Sequence, residues 1–278
     1  MTSAPGLEDD LSDVLRKAAR GLGISLATLA ARSGIAEEIL LQPEPERISQ
    51  DGWIRLAAVL GLDAAALAKH GNFRPVVPEL PWVHRLEMPF GGGTVNSWLL
   101  DLPGCLLLCD AGFSSADLLR EVDRVAGRCP DRVLITHAHR DHIAAAGHLL
   151  SAGVPLHAAC LPGAIPMSAG DVVFCGPQAV RAVDLSGHYT PTLGFLLEES
   201  HPPLLVTGDA LFAGSIGGCA DHAAYQMALR NLNAVLGGLP GETVLLPGHG
   251  PATTLAQERL HNPFLAKHGS LAAPCTSA

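Results

Sequence analysis

Hydrophobic positions recur along this chain at two different periods. From residue 8 to 70 the spacing is helical, with Leu11, Val14, Leu15 and Ala18 falling on one face. Ser25 caps the run Leu26-Ala27-Thr28-Leu29-Ala30-Ala31, Gly34 marks a tight turn, and a segment from Trp53 to Leu60 stops at Gly61. Asp63 then starts a short helix through Leu67. Prolines crowd residues 71–82, which predicts a helical domain at 1–72, a linker at 73–82 and a second domain at 83–278. Past the linker, short apolar runs alternate with helical ones. Thr94 to Leu100 and Gly104 to Cys109 predict a hairpin around Asp101-Leu102-Pro103-Gly104, and Ser115 is read as capping a helix through Val125. Further strands are expected at 132–135 and 155–158 and near 180–184, 193–198, 204–209 and 244–247. Helices are expected from Ile143 to Leu150 and from Asp221 to Leu236, and a frayed tail from Ser270 to Ala278. Strands separated by helices argue for a layered α/β fold.

Where the apolar runs end, one kind of chemistry gathers. Thr136-His137-Ala138-His139-Arg140-Asp141-His142 follows Arg132-Val133-Leu134-Ile135, so three imidazoles and a carboxylate fall within six residues at a strand end. Neutral imidazole and carboxylate suit zinc, iron or manganese. Four more such residues close strand-like runs: Asp110 after Leu106-Leu107-Leu108-Cys109, His188 after Val180 to Asp184, Asp209 after Leu204 to Gly208, and His249 after Val244 to Gly248. Residues that each follow a strand would meet along one edge of the sheets.

This H-x-H-x-D-H run, with its later partners in order, resembles the signature of the metallo-β-lactamase superfamily over roughly residues 82–265. The resemblance is closest to the short glyoxalase-II-like hydrolases, through Gly248-His249-Gly250-Pro251-Ala252-Thr253-Thr254, Glu258-Arg259 and Asn262-Pro263-Phe264. It implies a four-layer αββα sandwich preceded by a small all-α domain. It also implies that His137, His139 and His188 hold a first metal, that Asp141, His142 and His249 hold a second, and that Asp209 bridges them. Two divalent ions follow, zinc first, with iron or manganese as alternatives. A bridging hydroxide would attack a thioester or related acyl carbonyl, with Asp141 in the catalytic group and no serine nucleophile needed. Asp110 would orient a ligand histidine or merely cap its strand, and Tyr189 and Arg140 are candidates for substrate contact. His84, His148, His157, His201, His222 and His261 carry no ligand spacing.

The chain also departs from the pattern. Ser186-Gly187-His188-Tyr189-Thr190-Pro191 and Gly214-Ser215-Ile216-Gly217-Gly218-Cys219-Ala220-Asp221 replace the family's P-G-H-T-P-G and G-S-I-G-R-T-D, and about thirty residues follow His249. A particular substrate is therefore less well specified than metal-dependent hydrolysis. Two alternatives stand: a persulfide dioxygenase with one iron on His137, His188 and Asp209, and a ligand-sensing transcriptional regulator. The latter draws on the helical segment, which resembles a Cro/repressor-type helix-turn-helix over Ser25 to Ile35. Its recognition helix would start near Ala36 and present Glu37 and Glu38 before meeting Pro43 and Pro45. Carboxylates facing phosphates repel, so nucleic-acid contact is disfavoured, and an accessory role in packing, dimerising or shaping the substrate entrance is expected.

Composition narrows the rest. Hydrophobic residues make up 48% and charged ones 16%, which predicts a filled core. A net charge of -9 disfavours a general nucleic-acid or basic membrane-surface binder. Seven cysteines include no C-x-x-C pair, so Cys105 and Cys109 are expected to be buried thiols outside any disulfide framework. No leader-like pattern opens the sequence, and no apolar run approaches the ~20 residues a membrane span needs. A cytoplasmic enzyme of a small-molecule substrate is expected, with a homodimer as a further option.

Overall fold

The computed structural model describes residues 6–265, and the tail expected at 270–278 lies outside them. The helical segment forms where the caps dictate. Asp10 caps α1 (Leu11–Gly21) through a reciprocal capping box with Asp13. Ser25 caps α2 (Leu26–Ser33), which ends on Gly34 at φ 70°. The third helix, α3 (Glu37–Leu41), has only five residues. Pro45 then opens a 3-10 turn at Pro45–Arg47. Ser49 caps α4 (Gln50–Leu60) and Asp63 caps α5 (Ala64–Lys69).

The first sheet runs in the order β1-β2-β3-β4-β5-β6. Its strands are β1 (Val83–Phe90), β2 (Gly93–Leu102), β3 (Cys105–Cys109), β4 (Arg132–Leu134), β5 (Leu156–Ala158) and β6 (Ile165–Pro166). Helix α6 (Ser115–Ala126) connects β3 to β4, and α7 (Arg140–Ile143) and α8 (Ala146–Ser151) connect β4 to β5. The second sheet has the order β14-β13-β10-β9-β8-β7. It comprises β7 (Val172–Cys175), β8 (Gln178–Asp184), β9 (Leu193–Leu197), β10 (Leu204–Gly208), β13 (Val244–Pro247) and β14 (Thr253–Thr254). A two-stranded ribbon, β11 (Leu211–Phe212) and β12 (Ser215–Ile216), precedes α9 (His222–Leu236), and α10 (Leu255–His261) follows β14.

Strands covered on both faces are apolar at every position, and their side chains divide between two cores. Along β3, Cys105, Leu107 and Cys109 enter the core between the sheets, while Leu106 and Leu108 pack outward against Leu118 and Val122 of α6. Along β10 and β13, Leu204, Val206, Val244 and Leu246 face the first sheet, while Leu205 and Leu245 face Leu232 and Leu236 of α9. This is a four-layer αββα sandwich. Val14, Leu29, Leu56, Leu60 and Leu67 of the helical segment belong to that same outer core, continuous with α9 and with Leu255 and Phe264.

The helical segment is tied down by specific contacts too. A Cβ at Gly21 would lie 2.4 Å from the ring of Tyr225, so α1 and α9 touch at bare backbone. His222 Nδ1 donates to the Gly21 carbonyl at 2.8 Å, and Asp63 N to the Pro263 carbonyl at 2.9 Å.

Several sequence expectations need correcting. The cap of α6 is Ser114, one residue earlier, whose hydroxyl accepts from Asp117 N. The single helix from Ile143 to Leu150 is two short ones, because Ala144 N and Ala145 N bond back to the Gly112 and Ala111 carbonyls. The first strand, β1, went unanticipated: His84, Arg85 and Glu87 dilute its alternation, although Leu86 and Met88 are fully buried. Cys105 is not a free thiol. It is bonded to Cys175 across 70 residues, with 5.3 Å between the Cα atoms, linking β3 of one sheet to β7 of the other. No local spacing announces that pair, since it depends on how the sheets stack. Among the described residues, no helix is long and apolar enough to cross a membrane.

One buried carboxyl makes the lower core pH-sensitive. Glu258 on α10 is fully enclosed and accepts from Gly214 N (2.9 Å), Thr253 Oγ1 (2.8 Å) and Asn262 Nδ2 (2.8 Å). Burial outweighs these bonds and raises its pKa from 4.5 to about 7. Between those values the folded state holds a proton that the unfolded chain has released. Stability contributed by the protonated form is therefore fully present below pH 4.5 and is lost as pH rises to 7, a change on the order of 3 kcal/mol. Glu258→Gln keeps acceptors for two donors and turns its amide toward Thr253. Denaturant titrations at pH 5 and pH 8 are expected to show a slope in the parent that this variant flattens, and equal slopes would refute it.

Candidate metal centre

In the second sheet β8, β10 and β13 run the same way, since β10 pairs parallel with β13 and both β8 and β10 are antiparallel to β9. In the first sheet β3 and β4 are parallel. Their carboxyl ends carry the chemistry. Asp110 follows β3, the 137–142 loop follows β4, His188 follows β8, Asp209 follows β10 and His249 follows β13. Crosslinks bind the two sheets at this edge. Thr136 accepts from Leu193 N at 2.8 Å, and Gly248 accepts from Asn96 N at 2.7 Å. Trp98 Nε1 and Asn96 Nδ2 both donate to the Pro247 carbonyl at 2.9 Å.

The structure brings all seven expected ligand residues together, in two groups sharing Asp209. His137, His139, His188 and Asp209 form one, and Asp141, His142, Asp209 and His249 the other; within each, one ligand atom per residue lies within 4.8 Å of the rest. His137 Nε2 and His188 Nε2 are 3.0 and 3.1 Å from His139 Nδ1. His249 Nε2 is 3.2 Å from Asp141 Oδ2 and 3.5 Å from Asp209 Oδ2.

The outer nitrogens explain why the inner ones point inward. His188 Nδ1 donates to the Gly218 carbonyl and His249 Nδ1 to the Thr94 carbonyl, both at 2.7 Å. His142 Nδ1 donates to Asp110 Oδ2 at 2.9 Å. His137 Nδ1 lies 3.0 Å from the Thr136 hydroxyl, which itself donates to Asp110 Oδ2 at 2.9 Å. An imidazole whose outer nitrogen holds the proton turns a lone pair to the centre, as metal ligation requires. Asp110 thus touches Thr136 and His142 rather than the centre, and it adopts φ 64°, a left-handed conformation, to do so.

Two buried atoms test whether cations fit. His142 Nε2 and Asp209 Oδ1 are 3.3 Å apart, yet neither makes a hydrogen bond of acceptable geometry with any described residue. Buried polar atoms rarely go without a partner, and both aim into the cluster. The charges agree. Burial opposes ionising Asp209, but His142 and His249 hold its carboxyl well below the usual range. Burial likewise opposes charging His142, yet Asp209 and Asp110 raise it well above its ordinary value. Burial pushes His137 down to about 2, with His142 adding to the effect. Two enclosed carboxylates demand positive charge, and the donor set of imidazoles and carboxylates suits divalent metal ions.

The other expected residues lie close by. Arg140 lines the open cleft above the cluster, with its guanidinium 5.2 Å from the Phe113 ring centroid. Tyr189 packs edge-on against His139, at 4.9 Å between centroids, and lines the small cavity behind His137. The six histidines without ligand spacing stand outside both groups; His261, for one, stacks on Phe73 at 4.7 Å. Sequence reasoning missed Asn96, whose amide also donates to the Gly250 carbonyl and accepts from Arg85 Nε. The signal was there: an asparagine inside an apolar strand must find buried partners. It also missed Glu8, Asp9, Arg16 and Lys17, which line the cleft from the helical segment.

Comparison with known proteins bears on this arrangement. Residues 90–179 match the family model described as the metallo-beta-lactamase superfamily. An uncharacterized protein of Aquifex aeolicus is 30% identical over 206 residues, covering 64% of this chain and 94% of that protein. A hydroxyacylglutathione hydrolase, GloC, of Haemophilus influenzae is 27% identical over 160 residues, covering 48% of this chain and 74% of its own length. Among solved structures, TTHA1623 in a di-iron-bound form superposes with a TM-score of 0.53 at 29% identity, covering 64% of this chain and 99% of that one.

Proposed function

The chain belongs to the metallo-β-lactamase superfamily, and from that premise we propose that it is a dinuclear metal-dependent hydrolase of thioesters or related acyl compounds. The observation that carries this reading is the pair of ligand groups meeting at Asp209. His137, His139 and His188 would hold one cation, Asp141, His142 and His249 the other, and Asp209 both. Bound there, two divalent cations lower the pKa of water and offer positive charge to a developing oxyanion. The chain's own residues supply the rest. Asp110, held by Thr136 N and the Thr136 hydroxyl, fixes the His142 ring. The Gly218 and Thr94 carbonyls fix His188 and His249. Asp141 faces the cleft, where it can accept a hydrogen bond from an attacking water. Arg140 stands at the mouth as a cation for an arriving substrate. The likeness to a hydroxyacylglutathione hydrolase supports a thioester, and the likeness to a di-iron protein keeps iron beside zinc as the metal.

Metal analysis of the purified protein, joined to assays on thioesters, lactones and persulfides, tests the reading. About two metals per chain with thioester hydrolysis is the expected result. One iron per chain with oxygen uptake on a persulfide would overturn it.

A further inference from the structure

The cleft above the cluster, about 640 Å³, has a wall that the metal ligands do not build: the start of the helical segment, through α1. Lys17 is the part of that wall fixed most firmly. Its side chain is only 17% exposed. Its ammonium bonds the Asp9 carboxylate, donates to the Ile216 carbonyl at 2.9 Å and sits 4.8 Å from the Phe212 ring centroid. An ammonium carries three N–H donors, so one has no protein acceptor among the described residues. Gly218 lies against the Lys17 stem, where a Cβ would make ordinary contact with Cε at 3.7 Å, and its carbonyl is the one that holds His188.

The other charges of the wall are accounted for. Asp13 pairs with Arg16, and Glu8 lies 3.9 Å from His249 Nδ1. Arg140, across the cleft, has no carboxylate partner among the described residues. The cleft therefore offers two donors to an anion, the spare N–H of Lys17 and the Arg140 guanidinium. A lysine already immobilised by a carboxylate and a carbonyl has little rotamer entropy left to lose on binding.

We propose that Lys17 is a specificity-determining residue of this cleft, donating to a carboxylate carried by the substrate, so that the N-terminal helix is part of the substrate site. This rests on the hydrolase reading for its substrate class, acyl compounds with an acidic arm. The rival role is structural, with Lys17 merely tethering α1 to the ribbon through Asp9 and Ile216.

Two matched thioacetates, of mercaptoacetate and of its uncharged amide, separate these roles when given to the metal-loaded full chain. Calorimetric titration of the corresponding acetonyl thioethers, which cannot be hydrolysed, reads binding without turnover. The parent is expected to prefer the charged member by about tenfold or more, mainly through KM, as a hydrogen bond between charged groups warrants. Lys17→Met should lose most of that preference, leaving what Arg140 supplies, Lys17→Arg should restore part of it, and Asp9→Asn, which weakens the same tether but leaves the cation, should keep it. Equal handling of both compounds by the parent, or loss of preference in Asp9→Asn as in Lys17→Met, would overturn the proposal. If neither thioester is cleaved while the charged thioether still binds more tightly through Lys17, the hydrolase reading fails and the recognition role stands.

Discussion

Asp209→Ala is expected to abolish turnover and to release metal from both groups at once. Among the described residues, Asp209 alone is common to the two clusters, and its oxygens lie 3.3 to 3.8 Å from the inner nitrogens of His137, His142, His188 and His249. Loss of a residue that merely supports a ligand costs about ten- to a hundredfold in activity or affinity, so removing a shared one should cost more than about a hundredfold. The change also leaves His142 buried with one carboxylate fewer to balance it, which favours the neutral ring. Metal content per chain, measured with thioester turnover, checks this, and a thermal melt shows that the variant is folded. Two tightly held metals with undiminished turnover would sink the assignment.

Gly248→Ala should damage the same centre without removing any ligand. A Cβ at this position would lie 2.2 Å from Asp209 Oδ1 and 2.6 Å from His142 Cε1. The backbone cannot retreat easily, because Gly248 N bonds the Gly208 carbonyl at 2.9 Å and its own carbonyl accepts from Asn96 N at 2.7 Å. The methyl must therefore displace the carboxylate or the imidazole. Overpacking of this kind costs about 1–3 kcal/mol of stability, and metal stoichiometry is expected to fall with activity. Gly147→Ala is the control: it lies in α8, and a Cβ there meets nothing within 4 Å. A Gly248→Ala protein that binds metal and melts like the parent would show that the centre has slack.

That these seven residues come together was legible because each candidate ligand announces itself locally. Each follows an apolar run, and a run buried on both faces ends where the polar chemistry of the sheet edge begins. The sandwich was legible for the same reason, in the unbroken apolar stretches of β3, β10 and β13. What escaped was whatever depends on pairing between distant segments. Cys105 and Cys175 meet only because the sheets stack, and Lys17 enters the cleft only because α1 lies against α9. Asn96 was readable in principle, yet its partners at Pro247 and Gly250 are set by the crossing of the two sheets. The helical segment shows the limit from the other side. Its caps at Ser25 and Asp63 and its turns at Gly34 and Gly61 were clear, but that its apolar face continues the core of α9 and α10 is a tertiary fact.

The link between Cys105 and Cys175 stands at the start of β3, whereas Asp110 and the candidate metal cluster stand past its end, roughly 16 Å farther along the strand. The layers are thus fastened at opposite rims, by a covalent staple at one and by hydrogen bonds from Leu193, Asn96 and Trp98 at the other. A laminate fastened along both margins resists splaying, so adaptation to molecules of different shape must fall to what hangs over the edge, the exposed glycine tip at 91–93.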